Sequence, residues 1–195
     1  MAEERKGGVF NSVKDGVVGA IRGVGDVAQA VLDTVSGTLV SALRGVREIT
    51  NETLGLITDT VSGAIKGVAD VGGDLTVAAK NSVLGVIRGT KDVATGTLEA
   101  ISVSAEAAVR SVGDVGGDVA GAAKGAVEGA IEGAKEVGMS VEEAASAAAS
   151  GALKGAGKIS STAVEQVRNA LTGTISGVKV ILREPFKGEE EEEKK

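Results

Sequence analysis

The chain has 195 residues, a net charge of −6, 30 glycines, one proline and two phenylalanines, with no tryptophan, tyrosine, cysteine or histidine. Lacking cysteine and histidine, it has no disulfide, no thiolate site and neither the commonest metal ligand nor the commonest general base. The acidic balance provides no field for nucleic-acid phosphates, and the Val, Ala, Ile and Leu that supply the apolar content exclude an aromatic-rich core.

Residues 1–10, MAEERKGGVF, form an N-terminal polar segment. Its charges are not followed by the apolar stretch of a secretory signal, so a cytoplasmic protein is expected. Nowhere does the chain approach the ~18 uninterrupted apolar residues of a spanning helix, which leaves peripheral contact with a membrane or lipid droplet as the expected limit.

From Asn11 to Phe186 the sequence divides into sixteen consecutive 11-residue units without insertion or deletion, beginning NSVKDGVVGAI, RGVGDVAQAVL, DTVSGTLVSAL. Alternate units are more alike, giving a 22-residue super-repeat whose second half opens R/K-G-V-x-D/E-V. The G-x-G-x-x-A of Gly23, Gly25 and Ala28 looks like a dinucleotide-binding turn, but the counterparts of Gly25 are Arg47, Ala69 and Lys91. A phosphate loop needs that glycine, so the match belongs to the repeat.

Eleven residues in three turns is about 3.67 per turn, close to the helical 3.6, so each unit repeats one face of a long helix. Positions 3, 7, 10 and 11 make an apolar stripe: Val13, Val17, Ile21, Val24, Leu32, Val35, Leu39, Leu43, Ile65, Val83, Ile87, Ile131, Leu153 and Ile175. Position 4 borders it and carries the edge cations Lys14, Arg47, Lys80, Lys91, Lys124, Lys135, Arg168 and Lys179. Long aliphatic stems there can lie along an apolar surface while the charge reaches water or a lipid headgroup, or can shield a helix–helix seam.

Acids gather opposite the stripe, and Arg22/Asp26, Arg44/Glu48, Lys66/Asp70, Arg88/Asp92 and Arg110/Asp114 are spaced as i,i+4 pairs. Beside that pole Gly19/Gly23, Gly63/Gly67, Gly85/Gly89 and Gly129/Gly133 repeat a G-x-x-x-G spacing that lets two backbones approach closely, as do Gly151/Gly155 and Gly173/Gly177.

Gly72-Gly73-Asp74 and Gly116-Gly117-Asp118 are the expected hinges, since glycine suits a helix C-cap and aspartate an N-cap. Turns there give three helical segments, roughly 10–71, 74–115 and 118–184. Pro185 stops the last, and residues 187–195 form an acidic disordered tail.

An all-α fold follows, built of long amphipathic helices over residues 11–186, either folded into hairpins or joined in an oligomeric assembly. Interior glycines cost about 1 kcal/mol each relative to alanine, so such helices need a surface or partner to cover the stripe. Neither a nucleophile with its base nor a metal constellation is evident; no enzymatic activity, cofactor or small-molecule substrate is expected.

The chain resembles the synucleins in VKDGV (Val13 to Val17), GTKDV (Gly89 to Val93) and GAKEV (Gly133 to Val137), and is similar to perilipins and exchangeable apolipoproteins in its 11- and 22-residue units. That resemblance implies reversible coating of a membrane or lipid-droplet surface. Self-assembly into a helical scaffold or filament is the competing expectation, because an 11-residue period also specifies right-handed coiled coils. Late embryogenesis abundant proteins, with their own 11-residue repeats, suggest a third, stress-protective role.

Overall fold

The element that organises this chain is the six-residue R/K-G-V-x-D/E-V motif, because a helix stops at or close to it. In the computed structural model, which describes residues 2–91 and 96–182 and the side chains from Gly7 on except that of Val24, eight helices precede a short hairpin. They are α1 (Ala2–Val24), α2 (Val27–Ala42), α3 (Asn51–Asp70), α4 (Leu75–Thr90), α5 (Thr97–Asp114), α6 (Val119–Val137), α7 (Val141–Gly157) and α8 (Ser161–Leu171), then β1 (Thr174–Ile175) and β2 (Val178–Lys179). Each 22-residue super-repeat thus supplies roughly one helix and the turn that ends it.

The two Gly-Gly-Asp sites show how. Gly72 has φ +69°, a conformation that costs an L side chain strain. It lets the Gly72 amide bond the Ala69 carbonyl (3.0 Å) and the Gly73 amide bond the Val68 carbonyl (2.9 Å). These are the two bonds of a Schellman cap. Asp74 then caps α4, its Oδ1 accepting from the Thr76 and Val77 amides at 2.8 and 3.1 Å. Gly116, Gly117 and Asp118 repeat the arrangement, with Gly117 bonding Val112 at 2.8 Å and Asp118 accepting from Gly121 at 3.0 Å.

The other motif copies also end helices, so the three long segments expected are replaced by eight shorter ones. Gly25 at φ +77° with Asp26 turns α1 into α2, and Gly138 at φ +73° with Ser140 turns α6 into α7. Longer links at 43–50 and 91–96 join α2 to α3 and α4 to α5. The N-terminal polar segment belongs to α1, which begins at Ala2. Helix ends at Leu171 rather than near 184: Gly173 and Gly177, at φ +112° and +82°, shape an antiparallel hairpin that pairs Thr174 with Lys179 and Ile175 with Val178. Ile175 and Lys179 therefore stand on strands. Pro185, Phe186 and the tail 187–195 lie outside the described residues.

Consecutive helices double back on each other, and each helix also packs against the next but one, α1 on α3, α2 on α4, and so on to α6 on α8. The chain is therefore a two-layer stack in which odd-numbered helices form one layer and even-numbered helices the other. Within a layer the neighbours are parallel, since Gly63 meets Phe10 and Gly67 meets Lys14, while Gly151 meets Ser102 and Gly155 meets Glu106. The structural period is 44 residues, as Gly63, Ala107 and Gly151 mark in one layer and Gly85 and Gly129 in the other.

The first hairpin is set four residues out of that count. Counting back 44 from Gly73-Asp74 falls on Gln29-Ala30, whereas the chain turns at Gly25-Asp26. Contacts of α1 with α3 accordingly join residues 53 apart (Gly67 to Lys14), against 49 for α7 on α5 (Gly155 to Glu106). Forty-eight residues separate the capping Asp26 from Asp74, against 44 from Asp74 to Asp118, so one extra turn's length of sequence lies between the first two turns and the geometry of the stack is kept.

The core between the layers is built of small and branched side chains, with Val31, Leu39, Ile57, Val61, Ile65, Ile87, Ile101 and Ile131 almost wholly buried amid alanines. Room for it comes from the glycines. A Cβ on Gly125 would sit 2.5 Å from the Thr76 carbonyl oxygen, and one on Gly63 would sit 2.6 Å from that of Phe10.

These contacts give opposite signs to two glycine substitutions. Gly151→Ala drives a methyl into the Ser102 carbonyl and is expected to destabilise the fold by about 1–3 kcal/mol. Gly55→Ala in α3, with nothing within 4 Å, is expected to stabilise it by about 1 kcal/mol through helix propensity. Urea unfolding of both variants checks the pair; shifts of the same sign would contradict this packing.

Candidate functional site

The apolar stripe lines the interior of the stack. Val13, Val17, Leu32, Val35, Leu39, Leu43, Ile65, Val83, Ile87, Ile131, Leu153 and Ile175 are buried, and Ile21 is half-buried. Val24 closes α1, and its side chain lies outside those described. The surface expected to meet lipid or a partner is met by this chain's own helices.

The edge cations divide. Lys14 reaches Asp15 and Asp70, each at 3.8 Å, and Lys80 reaches Glu132 at 2.7 Å. Both bridge α1 to α3 or α4 to α6 within a layer. Arg47, Lys91, Lys124, Lys135, Arg168 and Lys179 are exposed, and they are spread over both layers, the links and the hairpin rather than gathered on one face.

Charge pairing across helices is what the i,i+4 spacing conceals. Lys66 and Asp70 do pair along α3 at 3.1 Å. Arg88, by contrast, makes a bidentate contact with Glu136 of α6, Nε and Nη2 each 2.7 Å from a carboxylate oxygen, and Asp92 lies outside the described residues. Lys158, just past α7, donates to Glu106 of α5. Asp26 caps α2 by accepting from the Gln29 amide at 3.2 Å, and Arg44 and Glu48 fall in the link after α2, so neither of those spacings acts on a helix.

The Arg88 hydrogen bond holds the Glu136 carboxyl below its usual value against the opposing effect of desolvation, with the guanidinium charge adding to the lowering. Arg88 is held above its own ordinary value by that same bond, and by the charges of Glu136, Glu132 and Asp33.

The glycine pairs separate into two classes. Gly63 and Gly67 are buried on α1, Gly85 and Gly89 on α2, and Gly129 and Gly133 on α4. Gly19 and Gly23 are exposed, and a Cβ on either would meet nothing within 4 Å. They lie on the outer face of α1, at the edge of the stack. The opposite edge is covered: β2 packs on α7, the Ser146 hydroxyl donates to the Ile181 carbonyl at 2.7 Å, and Ile175 and Val180 are buried.

Gly72, Gly73, Gly116 and Gly117 are the turn residues already described. No group of three or more Asp or Glu side chains suited to a metal ion occurs among the described residues, and no helix among them is long and apolar enough to cross a membrane. What the arrangement defines is a helical repeat stack open at α1 and covered by the hairpin on the outward face of α7.

Comparison of the chain with protein-family models, with curated proteins and with solved structures found no match.

Because the Glu136 carboxyl titrates lower in the folded chain than in the unfolded one, its contribution is present at neutral pH. It fades as the pH falls from the ordinary carboxylate value toward the lowered one. Glu136→Gln is expected to lower stability at neutral pH by less than about 1 kcal/mol, the pair being partly exposed, and to leave stability in strong acid unchanged. Urea midpoints at the two pH values measure it; an equal loss at both would assign the effect to packing.

Proposed function

We propose that this protein is a structural helical scaffold, a self-supporting repeat stack whose role is to present rigid surfaces rather than to catalyse a reaction. The observation that carries this reading is the burial of the apolar stripe between the two layers of the chain itself. A helix that coats lipid keeps its apolar face for the membrane and is ordered by it. Here the same residues already have partners, and close glycine contacts with carbonyls lock α3 to α1, α4 to α2, α6 to α4 and α7 to α5.

Lipid coating would require the layers to part and the stripe to turn outward. The two states differ in a measurable way, since the scaffold keeps its helix and its cooperative unfolding in plain buffer, whereas a coat protein acquires helix on vesicles. Circular dichroism with and without anionic vesicles, combined with vesicle flotation, is expected to show full helicity without lipid and no flotation. A chain that is unstructured in buffer and becomes helical as it floats would overturn the scaffold in favour of the coat. One that becomes helical only on dehydration would favour the stress-protective role.

A further inference from the structure

We propose that the open edge of the stack pairs two copies of this chain, α1 crossing α1 of the second copy about a two-fold axis near Gly19. The inference rests on the scaffold reading, because it needs the stack to exist without lipid.

Three observations converge on it. The first is continuity with the packing inside the chain. Allowing for the four-residue offset of the first hairpin, Gly19 stands where Gly67 stands in α3 and Gly155 in α7, and Gly37 stands where Gly85 stands in α4 and Gly129 in α6. Each of those later glycines seats the preceding helix of its layer, with carbonyl oxygens or side-chain carbons where a Cβ would be. Gly19 and Gly37 keep the same small side chain, yet nothing lies within 4 Å of either. The first hairpin shows the face that in later hairpins receives a neighbour, and no other helix among the described residues covers it.

The second is self-complementary charge. Asp15 and Arg22 flank Gly19 on the outer face, three or four residues to either side. Asp15 is 75% exposed, its nearest described base being the adjacent Lys14 at 3.8 Å, and Arg22 is exposed. A two-fold axis perpendicular to α1 runs the two copies antiparallel, which sets Asp15 of each copy opposite Arg22 of the other. Both charges are matched twice by one operation, while a parallel pairing would place like beside like.

The third is the covered opposite edge. Residues 174–182 occupy the outward face of α7, the place that α1 of another copy would take if the odd-numbered layer continued as a filament. Edge to edge is the closed alternative, and it yields a dimer.

The test uses the full chain in buffer without lipid, by sedimentation equilibrium across the micromolar range, with circular dichroism on every sample. The unmodified chain is expected to be a dimer. Asp15→Arg and Arg22→Asp each juxtapose like charges at two symmetric places and are expected to weaken the dimer at least about tenfold. Mixed in equal amounts they are expected to form a heterodimer, because each faulty surface then meets its complement. Gly19→Leu, whose side chain points into open space in the monomer, is expected to give a monomer with unchanged helicity. A helical unmodified chain that stays monomeric throughout, a dimer indifferent to these substitutions, or open-ended polymers would each overturn the pairing while leaving the scaffold intact. A chain without helix in buffer would overturn both.

Discussion

The stack depends on one steric fact, the absence of a side chain where α3 crosses α1, α4 crosses α2, α6 crosses α4 and α7 crosses α5. Within each layer the carbonyl oxygens of one helix occupy the space that the Cβ atoms of the next would need, as Thr76 does at Gly125 and Lys14 at Gly67. Helices that close gain dispersion contacts along the backbone itself, and a core of alanine and valine suffices to fill what remains. The near absence of aromatic residues then follows: there is no volume between the layers for them.

The same fact explains why glycine is tolerated in helix interiors at all. Its cost is borne by the isolated helix, and the compensation is tertiary, so no helix here is designed to stand alone. The polar groups within the stack obey the same economy of space. The Thr60 hydroxyl bonds the Leu56 carbonyl and the Thr90 hydroxyl the Val86 carbonyl of their own helices, while Ser111 and Ser62 join α5 to α3 at 2.9 Å. Small hydroxyls satisfied at short range can be buried without widening the gap between helices.

The all-helical fold and the buried stripe were legible because an 11-residue period keeps one face aligned whatever the helices do next. Val13 and Ile131 share that face by counting alone. The layer arrangement was not legible, because it turns on where helices stop. Gly72-Gly73-Asp74 announces a stop through two glycines and a capping acid, whereas Arg44 to Ile49 and Arg88 to Val93 carry the same motif without them, and nothing local in those stretches marks the end of a helix. Once those stops are missed, Lys80 and Glu132 are distant residues, and Arg88 is assigned to Asp92 instead of Glu136. Gly19 and Gly63 also looked alike in sequence; only the stack makes one an edge and the other an interior contact.

The 44-residue period has a consequence for how such a chain can change length. One 22-residue block carries a single helix, so gaining or losing one reverses the parity of everything downstream. Every later helix would be delivered to the other layer and run the other way, while its glycines would still face carbonyls, since Gly63, Gly85, Gly129 and Gly151 keep the 22-residue spacing across both layers. A block of 44 residues restores both layer and direction and leaves the flanking joints unaltered. Arrays of this design can therefore grow or shrink by a single helix or a whole hairpin, only the hairpin keeping every later helix in its layer, and the four extra residues between Asp26 and Asp74 are tolerated because they add one turn's length without exchanging any helices.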